Sequence, residues 1–205
     1  MRSRQEQKER TRRAILDAAL ELTGEYGFAG VSLRQVTRAS GIVPTAFYRH
    51  FANMSELGLA LVGESFETLR TMLRDARRDP RTYDDIAASS AEILIRVVKA
   101  RPEHFAFIAR ERFGAVPAVR EAIRHELELF VSELAVDLAR IPYIESWSAE
   151  DVQMVAKLYV NNMVGTAEDI IELPPGRPDV EARLAEQAKR QMRVIAIGFK
   201  DWKSR

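Results

Sequence analysis

An all-α protein of nine helices is the expectation for this 205-residue chain, and three observations lead to it. Strand signals are nearly absent, while apolar residues recur at three- and four-residue steps from end to end. Residues 32–51, SLRQVTRASGIVPTAFYRHF, read as two short helices around a glycine turn. Positive charge gathers at the N-terminus: residues 1–50 hold nine Lys/Arg against five acidic residues, whereas residues 51–205 hold 22 against 25. The formal net charge of +1 therefore conceals a polarised chain. A basic three-helix unit, residues 1–52, precedes a near-neutral six-helix unit, residues 53–205.

The first helix is expected from about Glu9 to Tyr26, with Ile15, Ala18, Ala19 and Leu22 inward and Gly24 and Gly27 at its end. Ser32 can cap the second, whose apolar side is Leu33, Val36 and Ala39. Gly41 then stands where the chain turns left-handed, a conformation that glycine adopts at little cost. Pro44 falls at the first position of the third helix, where its missing N–H does no harm. Asn53 with Glu56 three residues on has the form of a capping box opening a long fourth helix to about Arg78. Pro80 breaks it, and Thr82 with Asp85 starts a fifth to about Lys99. Pro102 opens a sixth ending near Gly114, and Pro117 a seventh to about Arg140. Ser148 with Asp151 caps the eighth, reaching roughly Glu172. LPPGRP, 173–178, is a linker, and the last helix fills 179–202.

Within the helix-turn-helix, Phe47 and Phe51 lie four apart and pin one face inward, leaving Thr45, Tyr48, Arg49 and His50 outward. A plain helical hairpin would show the same pattern. The surroundings favour a DNA reader: residues 1–13 carry Arg2, Arg4, Lys8, Arg10, Arg12 and Arg13 against Glu6 and Glu9. Phosphate binding requires local positive potential rather than a high overall pI.

An apolar fraction of 46% suffices for a true core. With no cysteine, disulfides and thiolate metal sites are excluded, and a reducing compartment is expected. The charged N-terminus has no signal-peptide core, and no apolar run reaches the ~18 residues of a membrane span. A cytoplasmic protein without membrane association is the expectation. A helical enzyme or lipid carrier is the rival class. Its histidines are His50, His104 and His125. Glu121 and His125 share a helix face, but an ion pair is the commoner meaning of that spacing. Paired Glu-x-x-His motifs, HExxH, a Walker loop, GxGxxG and GxSxG are all missing. Neither catalytic residues, nor a metal, nor a cofactor is expected.

The segments Thr11–Ala19, Glu21-Leu22, Gly27-Phe28, Ser32–Val36, Gly41-Ile42 and Tyr48–Phe51 together resemble the TetR family of bacterial transcriptional regulators, over about residues 9–57. The resemblance implies an all-helical homodimer, with a three-helix DNA-binding domain followed by a six-helix domain for ligand binding and dimerisation. It places Ser32 and Arg34 at phosphates or groove edges, Pro44 and Thr45 nearest base edges, and Tyr48, Arg49 and His50 on backbone or bases. Double-stranded DNA carrying a palindromic operator is the implied partner. Met54 stands where many members carry a phosphate-binding lysine, Thr37 replaces a usual alanine, and Val43 cannot cap the third helix with its side chain. Residues 41–51, Ser55–Leu59, Phe105 and Arg110-Glu111-Arg112 further resemble the FabR/DesT-type repressors of fatty-acid desaturation and unsaturated fatty-acid synthesis. That likeness implies a long-chain acyl thioester effector, such as acyl-CoA, and lipid genes as targets. A different apolar effector, controlling efflux or catabolism, is the alternative.

An acyl thioester requires an apolar tunnel and cations for its phosphates. Phe66, Leu69, Leu73, Ile93, Val97, Phe105, Ile108, Phe130, Tyr159 and Met163 are the tunnel candidates, although each also suits ordinary core. Arg110 and Arg112 suit either phosphates or the C-terminal dipole of their helix. Asn161 or Asn162, mid-helix among apolar neighbours, is a candidate for the pocket or the dimer interface, with Asn162 placed in the effector set. For the interface itself, Val152 and Val160 on the eighth helix and Leu184, Ala188, Met192 and Ile195 on the ninth are the candidates. Twofold-related readers would address half-sites ~34–36 Å apart, or a multiple of that.

Overall fold

A computed structural model describes residues 4–76, 83–173 and 176–204, with side chains of residues 72–90 and 200 left aside. Among them are nine α-helices and no strand: α1 Arg4–Tyr26, α2 Leu33–Ala39, α3 Pro44–Phe47, α4 Met54–Ala76, α5 Tyr83–Ala100, α6 Pro102–Glu111, α7 Pro117–Leu138, α8 Ala149–Ile171 and α9 Pro178–Ile197. Two short 3-10 turns, Phe28–Gly30 and Gly198–Lys200, complete the list. The expected starts at Thr82 and stops near Arg78, and part of the linker at 174–175, lie outside the described residues, as does the side chain of Leu73.

Local chemistry explains the element ends. The Ser32 hydroxyl accepts the Gln35 N–H at 3.3 Å, while the Gln35 side-chain oxygen accepts the Ser32 N–H at 2.9 Å. This reciprocal box satisfies two donors that the first turn of α2 would leave unpaired. Gly41 has φ +68°, the left-handed value its place between α2 and α3 requires. At α4, Asn53 Oδ1 accepts the Glu56 N–H at 2.9 Å, and Glu56 reaches one residue further back than a capping box does, to the N–H of Ala52. Ser148 Oγ accepts the Asp151 N–H at 3.2 Å and so caps α8.

The chain forms two compact units. The first comprises residues up to Glu67 together with Glu103–Arg124; the second comprises Thr68–Pro102 and the chain from His125 onward. This differs from the boundary after residue 52 that the charge step suggests, because the first half of α4 and all but the start of α6 pack with the basic helices. Phe28 and Phe107 meet edge to face with centroids 6.4 Å apart. Gly58, within α4, permits close approach: a Cβ there would lie 2.6 Å from Val119 and 2.7 Å from the Phe28 ring. In the second unit α5, α8 and α9 pack together. One cluster gathers Ala135, Leu138, Ile144, Val152, Val155, Ala156 and Phe199, and another Ala91, Ala188 and Met192.

Candidate nucleic-acid interface and effector residues

The reading surface is built from the pinned face outward. Phe47 and Phe51 are buried, with ring centroids 5.7 Å apart. As regular helix α3 is four residues long. Tight turns carry it on: Arg49 N–H donates to Ala46 O, and His50 and Phe51 N–H both donate to Phe47 O. Val43, as expected, offers no side-chain cap. Ser32, Arg34, Pro44, Thr45, Tyr48 and Arg49 are exposed, and His50 is half-buried. Tyr48 is 60% exposed and stands edge-on to Phe47 at 5.7 Å, so its ring is braced from below. Thr37 is buried, its hydroxyl donating to Arg34 O at 3.2 Å.

A groove of about 270 Å³ runs beside these residues, lined by Gln5, Lys8, Glu9, Arg12, Arg49 and His50. The Arg12 guanidinium lies 4.5 Å above the Phe51 ring. Burial, then Lys8 and Arg12, hold the His50 imidazole below its ordinary pKa, with Glu9 opposing and Arg49 adding to the shift. In the sequence Lys8 and Arg12 count only toward the basic charge of residues 1–13. Their four-residue spacing on one helical face was the available signal.

Behind this surface, α6 holds the junction between α1 and α2. Arg110 Nη1 donates to Gly24 O at 3.0 Å and Thr23 O at 3.3 Å, both at the end of α1. Glu111 accepts the Phe28 N–H at 2.9 Å. Arg110 is expected at effector phosphates or at the dipole of its own helix; its guanidinium donates instead to two carbonyls at the end of α1, of which Thr23 O also accepts the Gly27 N–H at 2.9 Å. Arg112 stacks on Phe113 at 4.5 Å. A polar chain links α1, α4 and α6: Arg13 pairs with Asp17 at 3.0 Å and with Glu64 at 2.9 Å, and Glu64 lies 3.7 Å from His104. His104 Nδ1 and Ser65 Oγ are 2.9 Å apart.

The remaining effector candidates divide between the units. Phe66, Phe105 and Ile108 are buried in the first. In the second, Val97 and Phe130 are buried and Leu69, Ile93, Tyr159, Asn162 and Met163 half-buried. Arg70 lies 5.1 Å over the Phe130 ring and donates to Glu126 and Glu133. Tyr159 OH donates to Met192 O at 3.2 Å, and burial pushes its pKa up. Asn162 donates to Gln191 at 2.8 Å, tying α8 to α9, while Asn161 is exposed.

Of the six interface candidates, four lie inside the protomer. Val152, Val160, Ala188 and Met192 are buried within the protomer itself, and Leu184 and Ile195 are half-buried. Met192 and Ala188 pack on Ala91 of α5, so they have no surface left to give a second copy. The apolar residues that α8 and α9 leave outward are Met154, Leu158, Val194 and Ile197.

Residues 15–61 match the model of the bacterial regulatory proteins, tetR family. Over nearly the whole chain the fold resembles that of several solved structures. Salmonella enterica GusR is 21% identical over 90% of this chain and 94% of that chain, with TM-score 0.71. The fatty acid degradation regulator FadR from Bacillus halodurans is 12% identical over 95% and 97%, with TM-score 0.70. The multidrug binding protein EbrR, complexed with malachite green, is 18% identical over 90% and 96%, with TM-score 0.68. The described helices include none long and apolar enough to cross a membrane.

Proposed function

From a helix-turn-helix region that matches the tetR family model, in a fold shared with the fatty acid degradation regulator FadR, we propose a DNA-binding repressor whose operator affinity is set by an apolar small molecule. It acts as a homodimer on a palindromic duplex. The observation that carries this reading is the braced, exposed set Thr45, Tyr48 and Arg49 above the buried Phe47–Phe51 pair. Side chains held from beneath and open above have the geometry that groove contacts require.

The effector class put forward is the long-chain acyl thioester, with lipid genes as targets. It rests on the FabR/DesT-like segments, and the likeness to a fatty acid degradation regulator supports it. Arg112 stays in the effector set, and Arg110 leaves it because of its carbonyl contacts. The likeness to a multidrug binding protein holding malachite green favours a second reading, an aromatic drug-like effector.

Effector binding shifts a population between two reader spacings. Two routes reach the readers inside the first unit. Movement of α4 acts on Phe28 through the close approach at Gly58, and movement of α6 acts through Arg110 and Glu111. Useful regulation requires the two states to differ by about 1–3 kcal/mol in DNA affinity.

The test is a mobility shift on a duplex selected by the protein from random sequence, titrated with acyl-CoA, free fatty acid and malachite green. Release or tightening by acyl-CoA alone supports the lipid reading; a response to the dye alone replaces it with the drug reading. Tyr48→Ala should weaken operator binding with thermal stability unchanged. Equal affinity at fixed salt would refute the assigned surface.

A further inference from the structure

We infer that the groove between the first turns of α1 and the end of α3 seats one DNA backbone phosphate per protomer, held by Lys8, Arg12 and Arg49 with His50. This rests on the DNA-binding reading and extends it to residues outside the helix-turn-helix.

Position comes first. Lys8 and Arg12 are one helical turn apart on α1, and both line the same groove as Arg49 and His50, which follow α3. Three cations and an imidazole thus converge on one concavity, beside the exposed Tyr48 and Thr45 that face the duplex. Preorganisation comes second. The Arg12 guanidinium is held 4.5 Å above the buried Phe51 ring, so little of its rotamer freedom remains to be lost on binding. Availability is the third point. Among the described residues, no carboxylate pairs with Lys8, Arg12 or Arg49. The neighbouring Arg13, one position around the helix, is paired twice, with Asp17 and Glu64.

Glu9 is the single acidic side chain lining the groove, so the site keeps a net positive balance. His50 also lines the groove, although its Nδ1 atom is buried and without a hydrogen-bond partner. At the start of α4, Met54, Ser55 and Glu56 supply no cation, which leaves α1 as the adjacent source of positive charge. The ligand class that fits is a singly charged phosphodiester oxygen pair.

The experiment measures affinity for the selected operator and for a scrambled duplex across a salt series, with wild type, Lys8→Gln, and Lys8→Gln/Arg12→Gln. Losing one phosphate contact per protomer should flatten the slope of log K against log salt by about 1.8 for a dimer. Operator and scrambled duplex should weaken by the same factor, since phosphates carry no sequence. Lys8→Gln alone, at an exposed position, should move the slope in the same direction, and Lys8→Arg should restore it. An unchanged slope in the folded double variant overturns the proposal. So does a loss confined to the operator, which would make these residues base readers. Should wild type retard neither duplex, the DNA-binding reading itself falls, and this site with it.

Discussion

The carboxylate of Glu111, 2% exposed, accepts the backbone N–H of Phe28 at 2.9 Å across 83 residues of sequence. With Arg110 on the carbonyls of Thr23 and Gly24, it fastens α6 to both sides of the junction that leads into the helix-turn-helix. Glu111→Ala would leave a buried N–H unsatisfied, at a cost of about 1–3 kcal/mol. A methyl at Gly114 would collide with Glu111 Oε2, so Gly114→Ala breaks the same bond by another route. Thermal unfolding should show both losses, and the double variant should lose less than their sum because the two act on one contact. An unchanged Tm for Glu111→Ala would remove this bond from the account.

The corrected outer face of α8 and α9 makes a second prediction. Leu158→Glu with Val194→Glu places charge on residues that are 49% and 69% exposed in the protomer. Sedimentation should then report a folded single protomer where wild type forms a dimer. Met192→Ala, at a fully buried position, should instead cost about 2–5 kcal/mol of stability and leave association intact. The reverse pattern would restore the inner residues as the interface.

What was legible in the sequence was local. Ser32 to Gln35, Gly41, Asn53 to Glu56 and the Phe47–Phe51 pair act over at most four residues, so spacing alone exposes them. The allegiance of α6 was not legible, because nothing near Glu111 announces Phe28, and the place of Arg110 at a helix end suits that helix's own dipole as well as a phosphate. The burial of four interface candidates, Val152, Val160, Ala188 and Met192, was hidden for a related reason. Helical periodicity marks Val152, Ala188 and Met192 as apolar-facing, but it cannot tell a partner subunit from α5, which supplies Ala91. Lys8 and Arg12 were visible as charge and invisible as a groove, since Arg49 reaches them through folding alone.

The reciprocal box at Ser32 yields a third prediction. Ser32→Ala removes the oxygen that accepts the Gln35 N–H and should cost about 1 kcal/mol. Ser32→Asn, another good cap, should recover most of it in chemical denaturation. If Ser32→Ala weakens operator binding far more than it lowers stability, the hydroxyl also touches DNA, as the family likeness implies.

The last prediction concerns protons at His50. Its pKa in the free protein lies below the ordinary 6.5, through burial and the nearby Lys8, Arg12 and Arg49 against Glu9. The unfolded chain therefore binds more protons than the folded one between those two values, and stability falls as pH drops through the folded pKa. His50→Gln should flatten that acid limb in thermal scans. A phosphate seated in the groove would offset the same cations and raise the bound pKa above the free one. Binding would then take up a proton, so operator affinity should rise as pH falls across about pH 8 to 5, the range over which histidine titrates. At constant ionic strength, His50→Gln should abolish this rise. A wild-type affinity independent of pH would mean that no anion approaches His50, and the phosphate would have to be placed elsewhere on the reader.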